Sequence, residues 1–127
     1  MIILQEPQWA CIGMDDQGEA VIGLIGHTAW TPILPMATIL KGITPRVMMY
    51  YRKCPDFSVM LQSDIIQDPD IQVLVISQPG HPDTTIVNVY NDPKKKNQSS
   101  VMHLCSLVLP DDMLVIITGD WNMHYPM

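Results

Sequence analysis

Two apolar runs of seven residues, Ile71–Ser77 and Thr84–Tyr90, follow one another across the turn residues Gln78-Pro79-Gly80. Both are too short for ordinary helices and rich in Val, Ile, Thr and Tyr, so both read as β-strands. Ile71, Val73, Val75 and Ser77 share one face of the first run, with Gln72, Leu74 and Ile76 on the other. Apolar residues on both faces predict a central strand, covered on two sides. In the second run Ile86, Asn88 and Tyr90 share a face opposite Val87 and Val89, which sets two polar groups together at its C-terminal end. A central strand needs neighbours at both edges and layers above and below, so the rest of the chain must supply them.

Residues 1–4 form another apolar run, ending in Gln5-Glu6-Pro7, and read as a short buried strand opening into a loop. A chain that begins inside a strand carries the expectation that upstream sequence is missing. Gly13, Gly18, Gly23, Gly26, Pro32 and Pro35 punctuate residues 8–42, where loops with one or two brief strands are expected. Residues 46–52 and 58–62 flank Pro55-Asp56 and are expected to pair antiparallel. Residues 64–70 are polar and turn-like, as are residues 91–98. Ser99 can cap a helix whose Val101, Met102, Cys105 and Val108 recur at helical spacing, stopped by Pro110. Residues 114–118 read as a final buried strand, after which the chain breaks into Gly119-Asp120-Trp121-Asn122-Met123-His124-Tyr125-Pro126-Met127. At 127 residues this is enough for one core and too little for two ordinary domains, so a single α/β or α+β layered unit is expected.

Hydrophobic residues make up 47% and charged residues 16%, which excludes a disordered chain. Lys and Arg total 7 against 13 Asp and Glu, a net charge of −6, the wrong sign for gripping nucleic-acid phosphates by bulk charge. Carboxylates that hold divalent cations invert the local charge, however, so a phosphate-handling site is compatible with that balance. The basic residues are clustered as Arg46, Arg52 and Lys53, and as Lys94, Lys95 and Lys96. Cys11, Cys54 and Cys105 are odd in number and in no CxxC arrangement, which indicates neither a disulfide framework nor a zinc site and predicts a reducing, intracellular compartment. The apolar stretch 20–25 is too short to span a bilayer, and no membrane association or targeting segment is expected.

Three strands thus end in residues that handle hard metals and phosphate: Glu6 after the first, Asn88 and Tyr90 in the run 84–90, Asp120 and Asn122 after the last. Neighbouring strand ends converge in a sheet, so such groups can meet around one cation although remote in sequence. Mg²⁺ takes one or two carboxylates plus water and substrate phosphate, and Glu6 and Asp120 would supply the carboxylates. Asp120 and Asn122, two apart, would point the same way in extended backbone. Each residue taken alone also has an ordinary reading. Glu6 is a solvated loop residue, Gly119-Asp120-Trp121-Asn122 a turn, Tyr90 a packing residue and His124 a loop histidine.

The ordered set Leu4-Gln5-Glu6-Pro7, Asn88-Val89-Tyr90-Asn91-Asp92 and Ile117-Thr118-Gly119-Asp120-Trp121-Asn122-Met123-His124 resembles the endonuclease/exonuclease/phosphatase superfamily, the DNase I-like and exonuclease III-like enzymes. Within it, residues 119–126 look like the non-LTR retrotransposon endonuclease branch. The resemblance implies an α/β fold, a four-layer sandwich of mainly antiparallel sheet with flanking helices. Residues 1–127 would form a single incomplete domain lacking the first strand and the C-terminal half. It implies Mg²⁺, replaceable by Mn²⁺, held by Glu6, with Tyr90, Asp120 and Asn122 catalytic and Asn88, Asn91 and His124 contacting substrate. The implied activity is hydrolysis of a DNA phosphodiester, in the nucleus, where the nick primes reverse transcription. An isolated piece of this kind is expected to self-associate or to need a missing C-terminal segment. Family members carry an asparagine on an earlier strand and a Ser-Asp-His ending, neither of which lies within these residues, and many have Pro and then Asn where Asn91 and Asp92 follow Tyr90. Three other readings stand beside the nuclease: a superfamily phosphatase acting on a lipid or small molecule, an inactive remnant, and an acidic interaction domain with chance motifs.

Overall fold

A computed structural model describes residues 1–35, 44–95, 100–109, 111 and 113–122. Nine strands and one helix follow in chain order among them: β1 (Ile2–Gln5), β2 (Ala10–Met14), β3 (Ala20–Gly23), β4 (Trp30–Ile33), β5 (Val47–Arg52), β6 (Ser58–Leu61), β7 (Ile71–Ser77), β8 (Thr84–Tyr90), α1 (Ser100–Cys105) and β9 (Leu114–Asp120). β2 and β3 form a separate antiparallel hairpin, one strand more than the loops expected of residues 8–42 allowed once β4 is counted. Its turn is closed by the Asp15 carboxylate, which accepts the Gln17 and Glu19 N–H groups at 2.9 and 2.8 Å.

The remaining strands make two sheets. The first has the order β1-β5-β4 and the second the order β6-β7-β8-β9, with every pairing antiparallel except β8 with β9. β7 is central as expected, with Ile71 to Leu74 buried on both faces. Pro32 sits in β4, an edge strand, where its missing N–H costs no ladder bond.

The expected pairing of residues 46–52 with 58–62 does not occur, since β5 and β6 lie in different sheets. Val47, Met48 and Met49 are all fully buried, so β5 needs a neighbour on either side and takes β1 and β4. β6 alternates exposed and half-buried residues, the pattern of an edge. The Pro55-Asp56 turn therefore carries the chain from one sheet to the other.

The sheets pack face to face. Met49, Ile3 and Ile33 of the first meet Leu74, Ile86, Ile76, Val59 and Leu61 of the second. On the second sheet's other face, Ile71, Val73, Val87 and Val89 are covered by Ile65, Ile66, Leu104, Leu107 and Leu109. The described residues thus form three layers, sheet, sheet and a cover built from α1 and two loops, a sandwich-like arrangement of mainly antiparallel sheet with a helix on one face. Among the described residues strand accounts for 46% and helix for 6%, so the architecture is mainly β. The outer face of the first sheet is an open apolar groove of about 450 Å³ between Ile2, Leu4, Tyr50, Trp30 and Ile25.

Two further expectations are corrected. α1 buries Ser100 and packs Leu104, with Leu107 packing just beyond its end, while Met102 (65%) and Val108 (88%) are exposed along with Cys105. Residues 100, 104 and 107 are as helical in spacing as the stripe expected, and the helix ends at Cys105, so packing and not periodicity chose the face. β9, expected to be buried, is the edge of its sheet, and Leu114, Ile116 and Ile117 are 61%, 45% and 44% exposed. It also runs two residues further than expected and ends on Asp120. The Ser99 cap and the Pro110 stop lie outside the described residues.

Candidate functional site

β8 and β9 run parallel and end together, with Tyr90 in register with Asp120. β1 crosses the face of β8 in the same sense. Leu4 and Gln5 meet Asn88, and Glu6 meets Tyr90. The C-terminal ends of three strands, remote in sequence and divided between two sheets, therefore converge at one edge of the molecule.

Glu6 follows β1 directly with φ 49, a left-handed conformation costly for a residue with a Cβ. Its N–H donates to the Arg46 carbonyl at 2.7 Å, and its Oε1 accepts the Tyr90 hydroxyl at 2.6 Å. Tyr90 is buried. The hydrogen bond to Glu6, with burial and the Glu6 charge adding, pushes the Tyr90 phenol up from 10.0 to about 12, against the opposing charge of Arg46. The phenol thus stays a donor well above neutral pH.

The exits of β8 and β9 are knitted by amides. Asn91 N–H donates to the Asp120 carbonyl at 2.8 Å, Asn91 Nδ2 to the Trp121 carbonyl at 2.8 Å, and Asn122 Nδ2 to the Asn91 carbonyl at 2.9 Å. Asn122 has φ 45, so it does not continue the extended backbone that would aim it alongside Asp120. Instead its N–H donates to Asp120 Oδ1 at 3.0 Å. Asp120 is exposed, and as the cross-strand partner of Tyr90 it belongs to the same face of the sheet. Asn91 Oδ1 is buried without a partner among the described residues.

Asn88 lies one step deeper than Tyr90 on that face and is fully buried. It accepts from Gln5 Nε2 at 2.8 Å and donates to the carbonyls of Leu4 and Met48 at 3.3 and 3.2 Å. Its carboxamide is thus engaged in joining the two sheets under the site. His124 lies outside the described residues.

Beneath the convergence is an ion-pair cluster that inspection of the sequence did not single out. Arg46 grips the buried Asp70 with two prongs, Nε to Oδ1 at 2.7 Å and Nη2 to Oδ2 at 2.5 Å, and its Nη1 pairs with Asp92. Lys95 Nζ adds a third bond to Asp70 at 2.9 Å, and the Asp70 carbonyl accepts the Tyr90 N–H at 2.8 Å. Burial works against the charge of Arg46, but the hydrogen bonds and charges of Asp70 and Asp92 outweigh it and hold its pKa above the ordinary value. Arg46, with the Lys94 N–H assisting, holds Asp92 below the usual carboxylate range. Arg46, Arg52 and Lys53 lie close in sequence but do not form one basic patch. Arg46 just before β5 and Arg52 at its end stand six residues apart, roughly 20 Å, and the first is already neutralised. The sequence signal for this cluster was Asp68-Pro69-Asp70 set directly before a buried strand, an acidic residue where burial would demand a partner.

The convergence presents hard oxygen donors, the carboxylates of Glu6 and Asp120 and the amide oxygens beside them, and no thiolate or imidazole among the described residues. That donor chemistry fits Mg²⁺ or Mn²⁺. No group of three or more His, Cys, Asp and Glu residues is arranged around one cation position among the described residues, so any ion here would rest on two carboxylates and complete its shell with water and substrate. A separate pocket of about 560 Å³ lies between residues 64–68 and the end of α1, where His103 Nδ1 meets Asp68 Oδ2 at 2.7 Å.

Compared with protein-family models, with curated proteins and with solved structures, the chain gives no significant match.

Proposed function

We propose that this chain carries the metal-binding and phosphate-orienting part of a metal-dependent phosphodiesterase of the endonuclease/exonuclease/phosphatase type, acting on DNA as the retrotransposon endonucleases do. The observation that carries the reading is the 2.6 Å bond between Tyr90 and Glu6 beside Asp120, which joins the motifs separated by 84 residues in the chain. A mainly antiparallel two-sheet arrangement with a helix on one face is compatible with a DNase I-like fold. The resemblance of residues 119–126 places a nuclease above a phosphatase.

In this reading Glu6 and Asp120 hold Mg²⁺. The bound ion would offset the charge that develops on the phosphate and on the leaving oxygen. The chain's own groups prepare that position. Tyr90, protonated through the physiological range, donates its hydroxyl to Glu6 Oε1 and so orients that carboxylate. The Asn122 N–H turns Asp120 so that its second oxygen is free of that bond, and the Asn91–Asn122 contact fixes the loop on which both sit.

The test is nicking of supercoiled plasmid in Mg²⁺ or Mn²⁺, run beside a Mn²⁺ titration of the same preparation. Loss of both signals in Glu6→Ala and in Asp120→Ala, from a parent that shows both, is the expected result. Binding without nicking in the parent assigns the chain a cation site whose chemistry needs further sequence. A folded parent that neither binds Mn²⁺ nor nicks sinks the proposal and leaves an acidic β domain with chance motifs.

A further inference from the structure

We infer that Arg46 is the positioning residue of the Glu6–Tyr90 pair, its carbonyl fixing the turn that carries Glu6 and its guanidinium backing the ring of Tyr90. What this does for phosphodiester hydrolysis rests on the function proposed above, whereas the positioning itself does not.

Each partner of the pair is tied to Arg46 by a different part of that residue. Glu6 sits at φ 49, a conformation that an L residue with a Cβ holds only when its surroundings impose it. One tie is the Glu6 N–H to the Arg46 carbonyl at 2.7 Å, and the other is the Tyr90 hydroxyl on Oε1. The Arg46 guanidinium lies over the Tyr90 ring, 5.1 Å from its centroid, so it limits tilt of the ring and hence the reach of the hydroxyl. The guanidinium is held in turn by the two-pronged Asp70 contact and by Asp92. Asp70 is 1% exposed, and it also receives Lys95 Nζ and takes the Tyr90 N–H on its carbonyl. The backbone and ring of Tyr90 are therefore both referred to the same ion pair.

A purely electrostatic tie between loops would need only a cation at this position. The geometry uses two properties that lysine lacks, a planar face for the ring and a rigid fork for the carboxylate. Arg46→Lys separates the two roles because it keeps the charge next to Asp70 and Tyr90 and removes both the fork and the plane.

The experiment follows the side-chain NMR signals of Tyr90 in protein labelled on tyrosine, assigned with Tyr90→Phe, and titrates the same samples with Mn²⁺ alone. Arg46→Lys is expected to move the Tyr90 ring resonances towards those of a mobile tyrosine and to speed its ring flips. It should also weaken Mn²⁺ binding by about tenfold, the scale on which loss of a ligand's supporting contact acts. Arg52→Lys, at the other end of β5, is expected to change neither. A folded Arg46→Lys protein with the parent's Tyr90 signals overturns the inference, whatever it does to metal. If the parent binds no Mn²⁺, the proposed function fails while the Tyr90 signals still decide the role of Arg46. Should Arg46→Lys not fold, Asp92→Asn keeps the Asp70 fork and releases only Nη1. A smaller change of the Tyr90 signals in the same direction then supports the positioning role, and none overturns it.

Discussion

At Gly119 a Cβ would lie 1.9 Å from the Val89 carbonyl oxygen and 2.7 Å from its carbon, so the backbone of β9 approaches β8 there as closely as only glycine allows. The neighbour is backbone of a buried strand and cannot turn aside. Gly119→Ala should therefore push Asp120 out of register with Tyr90 and cost about 3 kcal/mol, the upper part of the range for overpacking, read by urea denaturation. An unchanged midpoint would mean that β9 shifts freely at its end. Asp92 offers a second residue-level test. Its folded pKa is held below the ordinary 3.8 by Arg46, so the stability it contributes is present above about pH 4 and is lost as the pH falls through the folded value. Asp92→Asn should melt lower than the parent at pH 7 and lose less on going from pH 5 to about pH 3. Parallel losses in the two proteins would show that other carboxylates govern the acid limb.

Among the described elements, β9 is a sheet edge whose outer side carries little to protect it. It pairs with β8 on one side, and from Leu114 to Gly119 it carries no charge and no proline that would blunt the other. Ile116 and Ile117, 45% and 44% exposed, are adjacent and so show apolar surface on both faces of the strand, although Val115 packs on the core. Such an edge binds hydrophobic dye and promotes association. Ile116→Lys should lower dye binding and the association seen by sedimentation, with far-ultraviolet circular dichroism preserved. Equal dye binding by parent and variant would place the sticky surface elsewhere, with the apolar groove outside the first sheet the next to test. β7 and β8 are the opposite case. Their boundaries were readable residue for residue, because strands flanked by turns and apolar on both faces have one stable place, the middle of a sheet.

At the scale of the whole molecule, the sequence by itself determined β7 and β8, their bounds and the residues that share each of their faces. They follow from local physics, the two-residue period of a strand and the turn residues that bound it. Ile86, Asn88 and Tyr90 share a face as that period requires, and Asn88 and Tyr90 reach into the first sheet from it. The tertiary structure decided how the strands were distributed between sheets, separating β5 from β6 although a good turn joins them, because two neighbours were needed to cover Val47, Met48 and Met49. It chose Leu104 and Leu107 over Met102 and Val108, since a six-residue helix has no stripe of its own until something packs against it. It also set Arg46 under Tyr90. The pairing of Arg46 with Asp70 spans 24 residues and that with Asp92 spans 46, and no local rule links them. They meet because a buried carboxylate must find a cation, and only the packing of the two sheets brings one within reach.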